Sequence, residues 1–339
     1  MKILFLTTGK DAPSYRFRIG QMLPFFEQKG HVCQVAHFPK QIWSRVILFH
    51  QLDSYDAIVL QRHLLNPFEL SLLRKRTTHL FYDIDDAVMF NSKGESRWKR
   101  TGRFLNTMQA VDMVLCGNDY LAEQASQSGT ATKIIPTAVP VNMIKEFAGT
   151  TRKHLSNKVI IGWTGSRSTC RYLNDLLPVL ATFGQQIHLK IISNAKKSFH
   201  NKQLGNVTCE HIEWSKKTEY RALADVQIGL MPLPDNAWTR GKCGFKALQY
   251  MALSIPTICS PVGMNCQLID HKKNGFLAQS TTEWRTALQS LIQSETLRKT
   301  IGQAGYSTVM QQYNLEIIGP LLVQTIEEAV QPNVLSKVA

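Results

Sequence analysis

Residues 228–278 read IGLMPLPDNAWTRGKCGFKALQYMALSIPTICSPVGMNCQLIDHKKNGFLA, and the architecture follows from how this stretch is parsed. An apolar run closes at Pro232 and a polar loop carries on through Gly241. The spacing of Phe245, Leu248, Met251 and Ala252 then predicts a helix over residues 243–253 with one face laid on a sheet. Residues 256–260 form a second strand-length apolar run, followed by a glycine turn over 262–265. Strand, helix and strand in that order predict a parallel βαβ unit. Gly241, Lys242 and Gly244 precede the helix. Free N–H groups at such an end, with the dipole and nearby lysines, suit an anion; glycines there also serve steric needs alone.

On either side of this stretch the same alternation covers the chain. Residues 2–8 read as a buried strand, 9–14 as a loop, 15–29 as a helix capped by Gly30, and 32–37 as the next strand. Strands at 57–60 and 79–82, with a helix at 67–76 between them, continue the pattern. Further strands fall at 110–116 and 133–136, with a helix at 120–128 between them. Prolines 136 and 140 and the polar residues 148–158 mark a linker. The pattern then restarts, with a strand at 159–163, a small-residue loop at 164–169, a helix at 172–183 and a strand at 188–192. The first βα loop holds no GxGxxG, so no dinucleotide fingerprint is present.

The run KALQYMALSIPTICSPVG followed by NGFLA resembles the C-terminal signature of the family 4 glycosyltransferases, and the rest of the pattern extends the resemblance over nearly the whole chain. It implies an α/β protein of GT-B fold, two Rossmann-like parallel-sheet domains facing each other across a cleft. The expected division is an acceptor-side domain over 1–147, a linker over 148–158, a nucleotide-sugar-binding domain over 159–316, and a final helix and tail over 317–339, the helix crossing back onto the first domain. The implied reaction moves a sugar from a nucleotide-diphosphate-sugar donor to an acceptor hydroxyl of a glycan or lipid-linked saccharide. Retention of configuration and independence from metal are part of the same expectation, with no cofactor beyond the substrate.

The loop TGSRSTCR offers amides and hydroxyls at Gly165, Ser166 and Thr169 and charge at Arg167 and Arg171, a pattern suited to a pyrophosphate. Lys242 and Lys246 are expected to approach the same phosphates, with Gly263, Met264 and Asn265 forming a second backbone donor turn. By resemblance Arg171 falls near a family lysine and Ser166 where the family carries an arginine, which Arg167 replaces in charge. The chain also departs from the family. Two glutamates expected around the helix fall on Gly241 and Gln249, and a third falls near Gln267. The amide of Gln249 can still accept from ribose hydroxyls, and Asp235 is the nearest carboxylate for the transferred sugar. These departures keep a second reading in view, a catalytically silent GT-B-like partner subunit.

In the first half, Arg16 and Arg18 stand beside the end of the first strand, where such sheets bind ligands, and are candidate acceptor-side residues. Asp83, Asp85 and Asp86 gather three carboxylates in four positions, which repel unless they have a role. Asp85 and Asp86, with Lys246, are the candidate catalytic residues, the carboxylates positioning the acceptor; capping of a helix by Asp85 or Asp86 is the plain alternative.

Composition bounds the partners. The 339 residues carry 39 basic and 25 acidic side chains, net +14, which calls for an anionic partner. No zinc-finger spacing, RNP-like motif or basic zipper is present, so nucleic acid is not expected, although charge alone keeps a basic nucleic-acid binder as a lesser alternative. Residues 93–105 set five basic side chains around Trp98 and Phe104, and residues 41–49 add an apolar, aromatic run. Both suit an anionic membrane surface; an ordinary charged face over a core helix is the plain alternative. Seven cysteines without a CxxC pair, and an N-terminal apolar run too short for a signal peptide, point to the cytoplasm. No metal site is expected.

Overall fold

Short β-branched and apolar runs bounded by glycine, proline and asparagine become the strands of two parallel sheets. The computed structural model describes residues 1–9, 12–147, 158–194, 199 and 201–331. Most of the 148–158 linker, part of the 9–14 loop and the end of the C-terminal tail therefore lie outside the described residues. The first sheet holds β1 (Lys2–Thr7), β2 (Val32–His37), β3 (Ala57–Gln61), β4 (His79–Ile84), β5 (Met113–Cys116) and β6 (Ala131–Ile134), in the order β2-β1-β3-β4-β5-β6. The second holds β7 (Val159–Gly165), β8 (Ile187–Ser193), β9 (Thr208–Ile212), β10 (Ile228–Met231), β11 (Thr257–Cys259) and β12 (Phe276–Leu277), in the order β12-β11-β10-β7-β8-β9. Every pairing is parallel. Both are doubly wound sheets whose order reverses once, between β1 and β3 in the first and between β7 and β10 in the second.

The chain divides into two units. Unit 1 is Met1–Ala138, Asn236–Cys243 and Leu315–Ala339; unit 2 is Val139–Asp235 and Gly244–Asn314. In unit 1 one sheet face carries Ile3, Phe5, Val59 and Phe81 against Ile19, Met22, Phe26 and the last helix, Leu315–Val330. That helix is held by Gly319 packed on the Phe25 ring and by Glu327 at 2.8 Å from His31. The opposite face packs Leu4, Ile58 and Tyr82 against Phe49, Leu73, Phe104 and Met108. Unit 2 is built the same way. Trp163, Leu189, Ile191 and Leu230 line one face of its sheet, and the helix Phe245–Ala252 covers the other.

Several local expectations change. The helix expected over 15–29 is broken: a turn at Pro13–Tyr15 passes into a π-helical turn, Arg16–Gly20, before Leu23–Gln28. The loop expected over 164–169 is short, because β7 runs to Gly165 and a helix, Arg167–Asn174, starts at once. The single helix expected over 172–183 is thereby divided, its second part being Leu177–Ala181. The helix expected over 243–253 is Phe245–Ala252, and its preceding loop contains a short helix, Ala237–Arg240, with an Asn236 capping box. Residues 236–243, expected in the second half, group with unit 1. Neither Asp85 nor Asp86 caps a helix, since the next one begins at Trp98.

Candidate functional site

In unit 2 the carboxyl ends of β7 and β10 flank the reversal of strand order. Lys246, in the first turn of the helix Phe245–Ala252, reaches the start of the helix Arg167–Asn174. Its Nζ lies 3.2 Å from Thr169 Oγ1 and 4.7 Å from the centre of the buried Trp163 ring. Gly165 makes this approach feasible: a Cβ there would stand 2.7 Å from the Lys246 ammonium and 2.5 Å from the Trp163 ring. Gly244, at φ +65, is the left-handed residue that starts the lysine's helix, a conformation glycine adopts without strain. Two stretches more than seventy residues apart in the chain, 165–169 and 244–246, thus converge within one unit.

Around Lys246 the other expected residues separate into groups. Ser166 is the N-cap of the helix Arg167–Asn174, its hydroxyl 2.9 Å from Ser168 Oγ, and Arg167 is exposed in the first turn. The first-turn N–H groups of such a helix and its dipole favour an anion. Arg171 turns onto Tyr172 instead, 4.9 Å from the ring centre and donating to its hydroxyl at 3.0 Å. Met264 and Asn265 are buried in the first turn of the helix Met264–Leu268. There the Asn265 N–H donates to Val262 and its side-chain amide to Ser260, so one of the three backbone donors expected at Gly263, Met264 and Asn265 is committed internally. Gln249 is 4% exposed, on the buried side of its helix, which does not suit the expected contact with ribose. Asp235 is exposed after β10. Beside these residues lies a groove of about 200 Å³ that the sequence did not reveal, with Tyr172, Pro232, Leu233, Ser260 and Trp284 in its walls. Its residues come from the ends of β10, β11 and β12 and from the helix after β7, so no local pattern marks it.

In unit 1 the acidic cluster is partnered residue by residue. Asp83 is buried on β4 and receives Arg18 through Nε at 3.1 Å and Nη2 at 2.5 Å; Arg18 also donates to the Ile135 carbonyl. Burial works to lower the Arg18 pKa, but Asp83 outweighs it and the net shift is upward. Arg18, expected on the acceptor side, is therefore spent inside the fold. Arg16 lies with its guanidinium 3.9 Å from the Phe17 ring centre. Asp86 binds Lys242 Nζ at 2.8 Å and Arg62 at 3.0 Å. Lys242 also sits 3.6 Å from the Trp238 ring centre, so its ammonium is held by partners of unit 1, which does not suit the phosphate role expected for it. Asp85 approaches Arg62 at 3.3 Å without hydrogen-bond geometry, and burial pushes its carboxyl up to about 6, with Asp86 and Asp83 adding to the rise. Arg62, which the sequence did not single out, has φ 58 and so holds a strained left-handed position between β3 and this cluster.

Gly241, where the resemblance places a glutamate, has no room for a side chain: a Cβ would lie 2.6 Å from that of Ala87. Among the described residues no group of three or more His, Cys, Asp or Glu side chains is arranged to hold a metal ion, and the acidic cluster is matched instead with Arg18, Arg62 and Lys242.

Residues 159–294 match the family model described as Glycosyl transferases group 1. That span carries the group 1 glycosyltransferase domain, and the chain as a whole has the fold of GT-B glycosyltransferases. The chain is similar in structure to Anabaena Alr3699/HepE, solved in complex with UDP and glucose, at 16% identity, TM-score 0.75, and coverage of 97% of this chain and 100% of that one. It is similar also to the sucrose-phosphate synthase of Thermosynechococcus elongatus, at 14% identity and TM-score 0.75, covering 96% and 98% of the two chains. A glycosyltransferase from Rickettsia africae matches at 12% identity and TM-score 0.76, covering 98% and 99%. No curated protein matches the sequence.

Proposed function

We propose that the chain is a glycosyltransferase that moves a sugar from a nucleotide-diphosphate donor, with a UDP-sugar as the first candidate, to the hydroxyl of a glycan or lipid-linked saccharide. The observation that carries the reading is Lys246, brought by Gly165 and Gly244 to the start of the Arg167–Asn174 helix at the carboxyl edge of the unit 2 sheet. A departing nucleoside diphosphate gathers negative charge, and a fixed ammonium, Arg167 and first-turn N–H groups stabilise that charge without reorganising. The nearby groove, with Tyr172 and Trp284 among prolines, suits the nucleoside end. One similar protein, Anabaena Alr3699/HepE, solved with UDP, with UDP-glucose, and with UDP and glucose, supports this choice of donor.

On this reading the chemistry is metal-independent and retaining, the leaving phosphate serving as base, while Asp85 and Asp86 position the acceptor. The chain acts in the cytoplasm in polysaccharide assembly, peripheral to an anionic membrane. Support for the membrane face comes from Trp43, Phe68 and Trp98, exposed by 78%, 66% and 79%. Each stands in the first turn of a helix that follows a strand of unit 1, with Lys99 beside Trp98. Among the described residues no helix is long and apolar enough to cross a membrane.

The test is a nucleotide-sugar panel read by thermal shift and then by donor hydrolysis, each with and without EDTA. The expected result is one UDP-sugar that raises the melting temperature and is hydrolysed equally in EDTA. The hemmed-in Gly241 favours a second reading, a silent partner subunit, for which neither binding nor hydrolysis is expected with any donor.

A further inference from the structure

The strand order of unit 1 reverses between β1 and β3, and at such a point the crossovers diverge to opposite faces and leave a crevice at the carboxyl ends. A cavity of about 520 Å³ lies there, lined by Thr8 and Ser14 after β1, by Arg62 and His63 after β3, and by Arg100 and Arg103 from the helix Trp98–Ala110. Among the described residues that line it, the charged side chains are all arginines. Arg62 is held by Asp85 and Asp86, but Arg100 and Arg103 are exposed and form no ion pair with a carboxylate among the described residues. Guanidinium groups offer paired donors that match phosphate and carboxylate oxygens.

His63 adds a different kind of group. Its ring is hydrogen-bonded to the Thr7 backbone, while Nε2 is buried and has no hydrogen-bond partner among the described residues. Burial, with Arg45 and Arg62 nearby, lowers its pKa to about 4, so the ring is neutral at pH 7 and Nε2 can accept from a hydroxyl. The cavity therefore offers cations for an anion and a lone pair for a hydroxyl, the two groups that an acidic or phosphorylated sugar carries together.

We infer that this cavity takes an acceptor saccharide bearing phosphate or carboxylate, with Arg100 and Arg103 on the anionic group and His63 Nε2 accepting from a hydroxyl. The inference rests on the transferase reading above and names the charge class of its acceptor. It is tested by calorimetry of the full chain with glucose 6-phosphate, glucuronate and glucose, UDP being titrated in parallel. One charged sugar is expected to bind roughly tenfold or more tightly than glucose, its identity distinguishing phosphate from carboxylate. The R100Q/R103Q double variant should lose that preference while keeping its UDP affinity and melting temperature. The H63A variant should weaken the charged sugar and leave UDP unchanged. Nucleotide binding without a preference for charged sugars, or a preference that survives in the double variant, would overturn this inference alone. A preference for charged sugars with no nucleotide binding would overturn the transferase reading and, with it, the acceptor role assigned here.

Discussion

Among single residues, Lys246 and Arg18 show how one charge type serves two ends. Lys246 is partly exposed at a strand edge, so Lys246→Ala should leave the melting temperature nearly unchanged and lower kcat/KM by an amount equivalent to about 2–4 kcal/mol. Arg167→Ala should act in the same direction; near-normal steady-state rates in both would remove the phosphate-site assignment. Arg18 is buried against Asp83, so Arg18→Met leaves an uncompensated carboxylate and should cost about 3–5 kcal/mol in urea denaturation. Asp85 adds a pH signature. Its folded pKa of about 6 lies above its ordinary value of 3.8, so the folded state binds the extra proton between those values. This group's contribution to stability is therefore fully present below about pH 4 and is lost as pH rises through 6. Asp85→Asn should gain stability relative to wild type as pH rises from about 4 to about 7, a trend that paired denaturation curves would read directly.

Among the elements, the helix Phe245–Ala252 and β7 depend on each other through Gly165. Gly165→Ala would press a methyl group into the Trp163 ring and the Lys246 ammonium. It should lower stability by about 1–3 kcal/mol in denaturant melts and reduce turnover, because the lysine must move. Most elements were legible in the sequence, since their apolar runs and glycine or proline boundaries are local signals. Residues 32–37 became β2 within the expected limits, and Gly30 closes the preceding helix with φ 76 as its position suggests. The misses have a common origin. The helix Arg167–Asn174 begins with Arg, Ser and Thr, a polar turn that reads as loop until Thr169, Cys170 and Leu173 are buried against the sheet. The π-helical turn at Arg16–Gly20 coincides with the buried pairing of Arg18 to Asp83, which no periodicity reports.

Across the chain as a whole, two consequences follow from how it is shared between units. Leu315–Val330 supplies Ile318, Leu322 and Ile326 to the unit 1 core. A chain ending at Asn314 should therefore expose Phe5 and Phe26 and lose the unfolding transition of unit 1, visible as a missing or broadened calorimetric peak. Residues 236–243 also return to unit 1, where Asn118 donates to the Lys242 carbonyl and Gly117 leaves space for the Cys243 sulfur. That return takes Lys242 to Asp86 and away from the role expected for it.

The order of amino acids is enough to specify the alternation of strands and helices, the two parallel sheets and the likeness to group 1 glycosyltransferases, because burial periodicity and turn residues act over a few positions. Which charges are spent inside the fold and which face a site is a matter of three-dimensional packing. Arg18, Arg62 and Lys242 are drawn to Asp83, Asp85 and Asp86, whereas Lys246 is carried to Thr169 and Arg100 and Arg103 line a cavity. Ion pairing is set by distance in space, and partners as far apart in the chain as Asp86 and Lys242 leave no local trace in the order of residues.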